Sequence, residues 1–353
     1  MEDNRIQKRS SNIELFRIIV MFLILCGHYV FNSSLLTQFW GSVSAPTLFY
    51  SMFGMWGKVG INCFVLITGY FMCTSCITLR KFLKLYFELI FYSVIIWLIF
   101  VIVGKSQFSI LDLFLKLTPF WKIESDNFGS AYMVWWLFIP FLNVLIRNMG
   151  RQLHLRLVFL SILVFTLIPL LPFGSIAINP ICWFSVLYFI ASYIRLYPSF
   201  IIKGENAKFW GGMTLLFMFL ALIGTMMTFM FANKNFSFGP YWLVMDSNAP
   251  LALLIGVSSF LFFKNVKLRH SNVVNKIAAT TFGILLIHSC CEDMKQWLWE
   301  DVVNTSAHCM QFWYAILVCM VIFALCSLID WIRIITIEKY VFNLFDKRKV
   351  LKK

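Results

Sequence analysis

Long apolar runs alternate with short polar segments along the whole chain. We predict that ten of these runs are membrane-spanning helices, because a helix needs about 20 apolar residues to cross a bilayer. The predicted spans are 13–33, 57–75, 82–103, 132–147, 156–172, 182–198, 209–231, 248–263, 277–291 and 311–332. The longest polar interval, residues 104–131, is predicted to be a loop. The pattern therefore predicts an all-α polytopic membrane protein.

Composition strengthens this prediction. Only 13% of the residues are charged, and the mean hydropathy is +0.81, whereas soluble domains average about 25% charged residues. The N-terminal segment 1–12 is basic and polar like the start of a signal peptide, but the apolar run after it is long enough to span. We predict a retained first helix and a single membrane domain over residues 1–353, with a basic C-terminal segment at 333–353.

The distribution of basic residues predicts the orientation of the chain. With the N-terminus in the cytoplasm, all but six of the 30 lysines and arginines fall on the inner side, as the positive-inside rule requires. An even number of spans then places both termini in the cytoplasm, and we expect the protein in the plasma membrane. The net charge of +14 is explained by this topology without a nucleic-acid partner. The six outer basic residues are Lys58, Lys105, Lys116, Lys122, Lys234 and Lys295.

The first predicted span carries three ionisable side chains, Glu14, Arg17 and His28. In a helix, Arg17 and His28 are about 16 Å apart along the axis and point from one face, which Glu14 shares. Buried ionisable groups in membrane helices usually have a function, so this face would suit a cavity reached from the cytoplasm. Two structural interpretations remain open: Arg17 extends to the lipid headgroups, and His28 is a hydrogen-bonded core residue.

Two further regions carry candidate chemistry. Arg80, Lys81 and Lys84 open the third predicted span, where they act either as anchors at the inner surface or as a binding site for an anionic ligand such as phosphate. The spacing of Lys84 and Glu88 permits a pair within one helix. His288 is predicted near the outer end of the ninth span, where it either faces His28 or contacts interfacial water.

Aromatic and cysteine residues are read mainly as structural. Trp135 and Trp136 are predicted to pack in the core or at the interface, with a sugar-binding platform as the alternative. The ten cysteines lie mostly inside apolar runs, where they serve as small core residues, and no metal site is expected. A disulfide is possible among three cysteines that flank one predicted outer loop: Cys290, Cys291 and Cys309.

Five motifs in order resemble the acyltransferase-3 family of integral-membrane acyltransferases. "ELFRIIVMFLILCGH" is similar to the first helix of the family, in which an arginine and a histidine are separated by ten residues. The others are "GKVGINCFVLITGYFM", "RKFLKLY", "LYFIASYIRLY" and "NKIAATTFGILLIHS". Together they span most of the chain. Lys84 stands where the family commonly has arginine, no proline follows it, and Thr68 stands where serine is common.

The resemblance implies transfer of an acyl group, expected to be acetyl from acetyl-CoA, to a saccharide or lipid-linked sugar. On this basis Arg17, Arg80, Lys81 and Lys84 would hold the phosphates of CoA. His28 would act as a general base or carry the acyl group transiently, Glu14 would orient Arg17, and His288 would be a second proton-handling group.

Two other functions fit a polytopic chain with buried charges. A transporter or flippase for a lipid or sugar suits ten spans equally well, although we find no pseudo-repeat of the kind that transporters often show. A structural partner of envelope-synthesis enzymes would leave Arg17 and His28 unexplained.

Overall fold

The computed structural model describes residues 10–35, 44–121, 127–171, 179–201, 203, 205–231, 243–244 and 246–350. Every regular element in these ranges is helical, which confirms the all-α prediction. Parts of the predicted terminal segments (1–9 and 351–353) lie outside the described residues, as do Lys122 and Lys234.

Fifteen α-helices follow one another in the described ranges. They are α1 Ser11–Phe31, α2 Ala45–Gly54, α3 Gly57–Met72, α4 Leu79–Ile102, α5 Ile110–Leu117, α6 Phe128–Asn148, α7 Arg151–Ile162, α8 Pro180–Leu196, α9 Ala207–Phe231, α10 Pro250–Asn265, α11 Asn272–Ala279, α12 Thr281–Ser289, α13 Glu292–Gln296, α14 Phe312–Arg333 and α15 Lys339–Val350. Helix α13 continues as a π-helical segment, Trp297–Val302, and α14 continues through another, Ile334–Glu338.

Hydroxyl side chains define the starts of several helices. A serine or threonine before the first turn accepts a hydrogen bond from the backbone N–H three residues later, which satisfies a donor that the helix itself leaves unpaired. These pairs are Ser44–Thr47, Thr78–Lys81, Ser109–Asp112 and Ser271–Val274. The boundaries of α2, α4, α5 and α11 are therefore encoded locally.

Within the described ranges, seven helices are long and apolar enough to cross a membrane: Ser11–Phe31, Ala45–Met72, Leu79–Ile102, Phe128–Asn148, Arg151–Leu170, Ala207–Met227 and Phe312–Leu344. A further helical pair, Asn272–Ser289 and Glu292–Val302, is bent by 90° at its break. Two shorter apolar helices are Pro180–Leu196 and Pro250–Asn265. The chain is a helical membrane protein, whereas the count of ten spans and the sides of the termini stay predictions.

The structure corrects two predicted span boundaries and one predicted loop. The second span begins at Ala45 instead of residue 57, and the last helix continues to Leu344 instead of ending at 332. The interval 104–131 contains α5, because "ILDLFLKL" places apolar residues at helical spacing. Helix α5 runs back along α4: the Tyr86 hydroxyl donates to the carbonyl of Leu117 at 2.8 Å, and the rings of Trp97 and Phe108 lie 5.6 Å apart.

Helix α1 lies at the centre of the fold and contacts α2, α3, α10, α11, α12 and α14. Its approach to α2 and α3 depends on glycines. A Cβ on Gly27 would lie 3.1 Å from Gly57 Cα, and one on Gly60 would lie 2.5 Å from Ile24 Cγ1. Small residues let membrane helices approach closely. The glycines therefore fix the position of the part of α1 that carries His28.

Candidate active site

A histidine pair joins α1 to α12. Nδ1 of His28 lies 2.8 Å from Nε2 of His288, and Nδ1 of His288 lies 2.5 Å from the carbonyl oxygen of Ile284. His288 is fully buried, and the indole of Trp299 packs edge-on near its ring. Of the two predicted environments for His288, the structure therefore gives the one in which it faces His28.

The Ile284 carbonyl determines which nitrogens carry protons. A carbonyl oxygen only accepts hydrogen bonds, so Nδ1 of neutral His288 carries its proton and Nε2 is an acceptor. Nδ1 of His28 must then donate to His288, which leaves Nε2 of neutral His28 with a lone pair. This assignment follows from the hydrogen-bond network. It makes His28 Nε2 the basic or nucleophilic atom of the pair.

His28 lines a cavity of about 630 Å³. Part of the cavity lining is apolar and includes Met21, Ile24, Phe64, Phe128, Phe282 and Leu285. Another part is polar and charged and includes Asn32, Lys58, Asp112, Lys116, Asp246, Glu292 and Lys295. The lysines are among those that the sequence assigns to the outer side. We refer to the apolar part of the lining, from Met21 to His28, as the tunnel and to the polar part as the chamber.

The inner end of the tunnel stops short of Arg17. Met21 is seven residues before His28, about 10 Å along the axis, and Arg17 lies one turn further. Phe128 and Phe282 line this end, and the Tyr132 ring packs against both, at 5.3 and 6.0 Å between centroids. The described lining thus ends at these aromatic rings and does not include Arg17, and the side from which the cavity is reached stays a prediction.

Arg17 and Glu14 form the predicted pair. Nη1 of Arg17 lies 3.3 Å from Oε2 of Glu14, and the Glu14 side chain is 9% exposed. Nε of Arg17 is buried without a hydrogen-bond partner in the described structure. Tyr132 lies within electrostatic range of Arg17, and its hydroxyl is hydrogen-bonded to Thr68 at 2.9 Å. Arg17 therefore lies behind the aromatic end of the tunnel.

The basic cluster at the start of α4 divides into two environments. Arg80 and Lys81 are exposed, and Nζ of Lys81 donates to the Cys76 carbonyl at 3.3 Å. Lys84 instead binds Glu338 at 2.7 Å. Lys84 and Glu88 therefore do not form the pair that their spacing permits. Each binds a residue outside α4 instead: Lys84 binds Glu338, and Glu88 binds Arg333.

Arg333 is the centre of an ion cluster that the sequence analysis missed. Its guanidinium contacts Asp330 at 2.7 Å, Glu338 at 2.9 Å and Glu88 at 3.0 Å, and it is 3% exposed. Tyr92 donates to Asp330 at 2.7 Å. Asp330 and Arg333 come at a helical spacing, across the predicted end of the last span at residue 332, and this spacing could have indicated the cluster. The cluster joins α14 to α4, and no member of it lines the cavity.

The remaining candidate groups are the two tryptophans, the cysteines and any cluster of metal-ligating side chains. Trp135 is fully buried and Trp136 is 7% exposed, so both pack in the core, whereas the aromatic residues that line the cavity are Phe31, Phe64, Trp121, Phe128 and Phe282. All ten cysteines are free thiols, including the three for which a disulfide was left open. No group of three or more metal-ligating side chains comes together in the described part of the chain.

Comparison with known proteins identifies the family. A family model described as an acyltransferase domain, of the acyltransferase-3 type, matches residues 10–331. This range contains the histidine pair, the cavity and all five motifs. No curated protein and no solved structure matches the sequence. The chain therefore belongs to the acyltransferase-3 family of membrane acyltransferases.

Proposed function

We propose that this membrane acyltransferase transfers an acetyl group from cytoplasmic acetyl-CoA to a hydroxyl of a cell-surface or lipid-linked saccharide at the plasma membrane. The observation that carries the proposal is the oriented histidine pair, with His28 on the cavity wall and His288 behind it. A buried imidazole whose proton position is fixed by a neighbour is suited to acyl transfer.

As a general base, His28 acts through Nε2. This nitrogen takes the proton of the acceptor hydroxyl while the oxygen attacks the thioester carbonyl. The tetrahedral intermediate then expels the CoA thiolate, which takes the proton back from Nε2. During the first step the His28 ring becomes positively charged, and the hydrogen bond from Nδ1 to His288 holds it in place.

As a nucleophile, His28 would use the same nitrogen. Nε2 attacks the thioester and CoA leaves as its thiolate, which gives an acyl-imidazolium. The acceptor hydroxyl then takes the acyl group, and its proton goes to the CoA thiolate. Both routes need a neutral His28 with its lone pair directed into the cavity. Rapid quenching with labelled acetyl-CoA and no acceptor distinguishes them, since only the second route leaves label on the protein.

The donor is proposed to bind from the side of Arg17. Arg17, Arg80 and Lys81 supply positive charge for the CoA phosphates, and Glu14 orients Arg17. Lys84 is a weaker candidate than the sequence indicated, because Glu338 already binds it. The tunnel from Met21 to His28 is lined by apolar side chains, which suits a thin acyl-bearing arm. The aromatic end of the tunnel has to open for the arm to pass.

The test uses inverted membrane vesicles, radiolabelled acetyl-CoA and native envelope glycans. We expect label on glycan with the wild type and none with His28→Ala. The exposed His270 gives a matched control, since His270→Ala removes an imidazole away from the cavity. Transfer by a folded His28→Ala protein would refute the catalytic role. Absence of label with folded wild type and ample glycan would favour a transporter or flippase, which needs no acyl donor.

A further inference from the structure

Three lysines converge on the outer chamber of the cavity from three different elements. Lys58 lies in the first turn of α3, Lys116 on α5 and Lys295 on α13, and each lines the cavity with its side chain half-buried. The carboxylates on the same lining are all exposed: Asp112, Asp246 and Glu292. Positive charge is therefore held inside the chamber, while negative charge lies at its solvent-facing rim.

The rim carboxylate that binds Lys295 compensates its charge only weakly. Nζ of Lys295 binds Glu292 at 2.6 Å, but the Lys295 side chain is 15% exposed and that of Glu292 is 86% exposed. Ion pairs open to water contribute little, because the solvent screens them. Lys58 and Lys295 are both within electrostatic range of His28. A chamber with low-dielectric walls concentrates such a field and attracts an anion.

We propose that the acceptor is an anionic saccharide, whose phosphate or carboxylate binds Lys58, Lys116 and Lys295 while a neighbouring hydroxyl lies at His28. Lysine ammonium groups bind both kinds of anion as point charges and tolerate varied geometry. This proposal rests on the proposed acyl transfer and adds the charge of the acceptor to it.

The anion belongs to the acceptor and not to the donor. The three lysines line the cavity and Arg17 does not, so the proposed donor phosphates and this anion bind at separate sites. The cavity lining also has donors and acceptors that a sugar requires, including Asn32, Asn127, Ser130 and Ser289.

The experiment separates labelled product by charge. Wild-type vesicles label native envelope glycan from radioactive acetyl-CoA, and the product is divided by anion exchange into retained and unretained fractions. We expect the label in the retained fraction. Two treatments of the glycan before labelling identify the anion: removal of phosphate with hydrofluoric acid, and conversion of carboxylates to amides with a carbodiimide. We expect one of the two to abolish labelling.

Lys116→Gln tests the chamber itself. Loss of a charged hydrogen bond weakens binding by roughly tenfold or more, so we expect the KM for the retained glycan to rise about tenfold while acetyl-CoA binding is unchanged. Lys105→Gln is the matched control, because Lys105 is a predicted outer lysine that binds Asp301 and does not line the cavity. It should leave the KM unchanged.

Label in the unretained fraction would overturn the anionic acceptor while supporting acyl transfer. An unchanged KM for Lys116→Gln would also overturn the proposed lysine site. Absence of label in both fractions, with folded wild type, would refute the acyl transfer on which this proposal rests. The two failures are therefore distinguishable.

Discussion

Replacing Gly27 by alanine tests whether helix contact positions His28. The added Cβ would lie 3.1 Å from Gly57 Cα and 3.2 Å from the Gly54 carbonyl oxygen, both backbone atoms that no rotamer change can move away. Ordinary contact begins at 3.4 Å and extends to 4 Å. Helix α1 must therefore separate from α2 and α3 by about 0.3–0.9 Å at the residue before His28.

The size of the effect follows from this displacement. Overpacking of this kind typically destabilises a protein by about 1–3 kcal/mol. A shift of about 1 Å in a catalytic group costs roughly 100-fold in rate. We expect Gly27→Ala to remain folded with a lower melting temperature and to transfer acyl groups about 10- to 100-fold more slowly.

The assay combines initial rates in inverted vesicles with thermal melting of the purified protein in detergent. Gly212 supplies the control, because a Cβ there meets no atom within 4 Å and the residue lies on α9, away from the cavity. Gly212→Ala should keep the wild-type rate and melting temperature. If Gly27→Ala also kept both, the close approach of α1 would not position the histidine, and the argument would be wrong.

Two further predictions concern groups behind the site. His288→Phe removes the acceptor for His28 Nδ1 and should slow transfer about 10²- to 10⁴-fold without changing acetyl-CoA binding. His288→Gln keeps an acceptor oxygen and should therefore retain part of the rate that His288→Phe loses. An equal loss of rate in both variants would argue that His288 does not orient the proton of His28. Arg333→Met leaves buried carboxylates without their counterion and should lower the free energy of unfolding by about 3–5 kcal/mol in a denaturant or thermal assay. Lys105→Gln, which removes an exposed ion pair, is the control and should change the free energy of unfolding by less than about 1 kcal/mol.

Much of the site could be predicted because its first half lies on one helix. The separation of Glu14, Arg17 and His28 is set by helical geometry, and the structure confirms the Glu14–Arg17 contact. The helical class was equally readable from apolar length. His288 was a candidate, but its contact with His28 joins residues 260 positions apart, which no local pattern encodes.

The parts that were missed depend on tertiary packing. Lys84 has a suitable partner in its own helix, Glu88, yet both bind side chains of the C-terminal helical region instead. The chamber lysines appeared only as topology signals, since their convergence needs the fold of α5 and the bend after α12. The polar composition around α5 also concealed a helix of only eight residues.

The three aromatic rings at the inner end of the tunnel affect how well the membrane remains a barrier to ions. On the proposed function, the enzyme takes its donor from one side and serves an acceptor on the other, so it needs a path for a slender thioester but none for ions. Phe128, Tyr132 and Phe282 pack together there, and Tyr132 is tethered to Thr68. A hydrophobic plug of this kind excludes hydrated ions, so on the proposed function acyl transfer proceeds without discharging the proton-motive force of the cell.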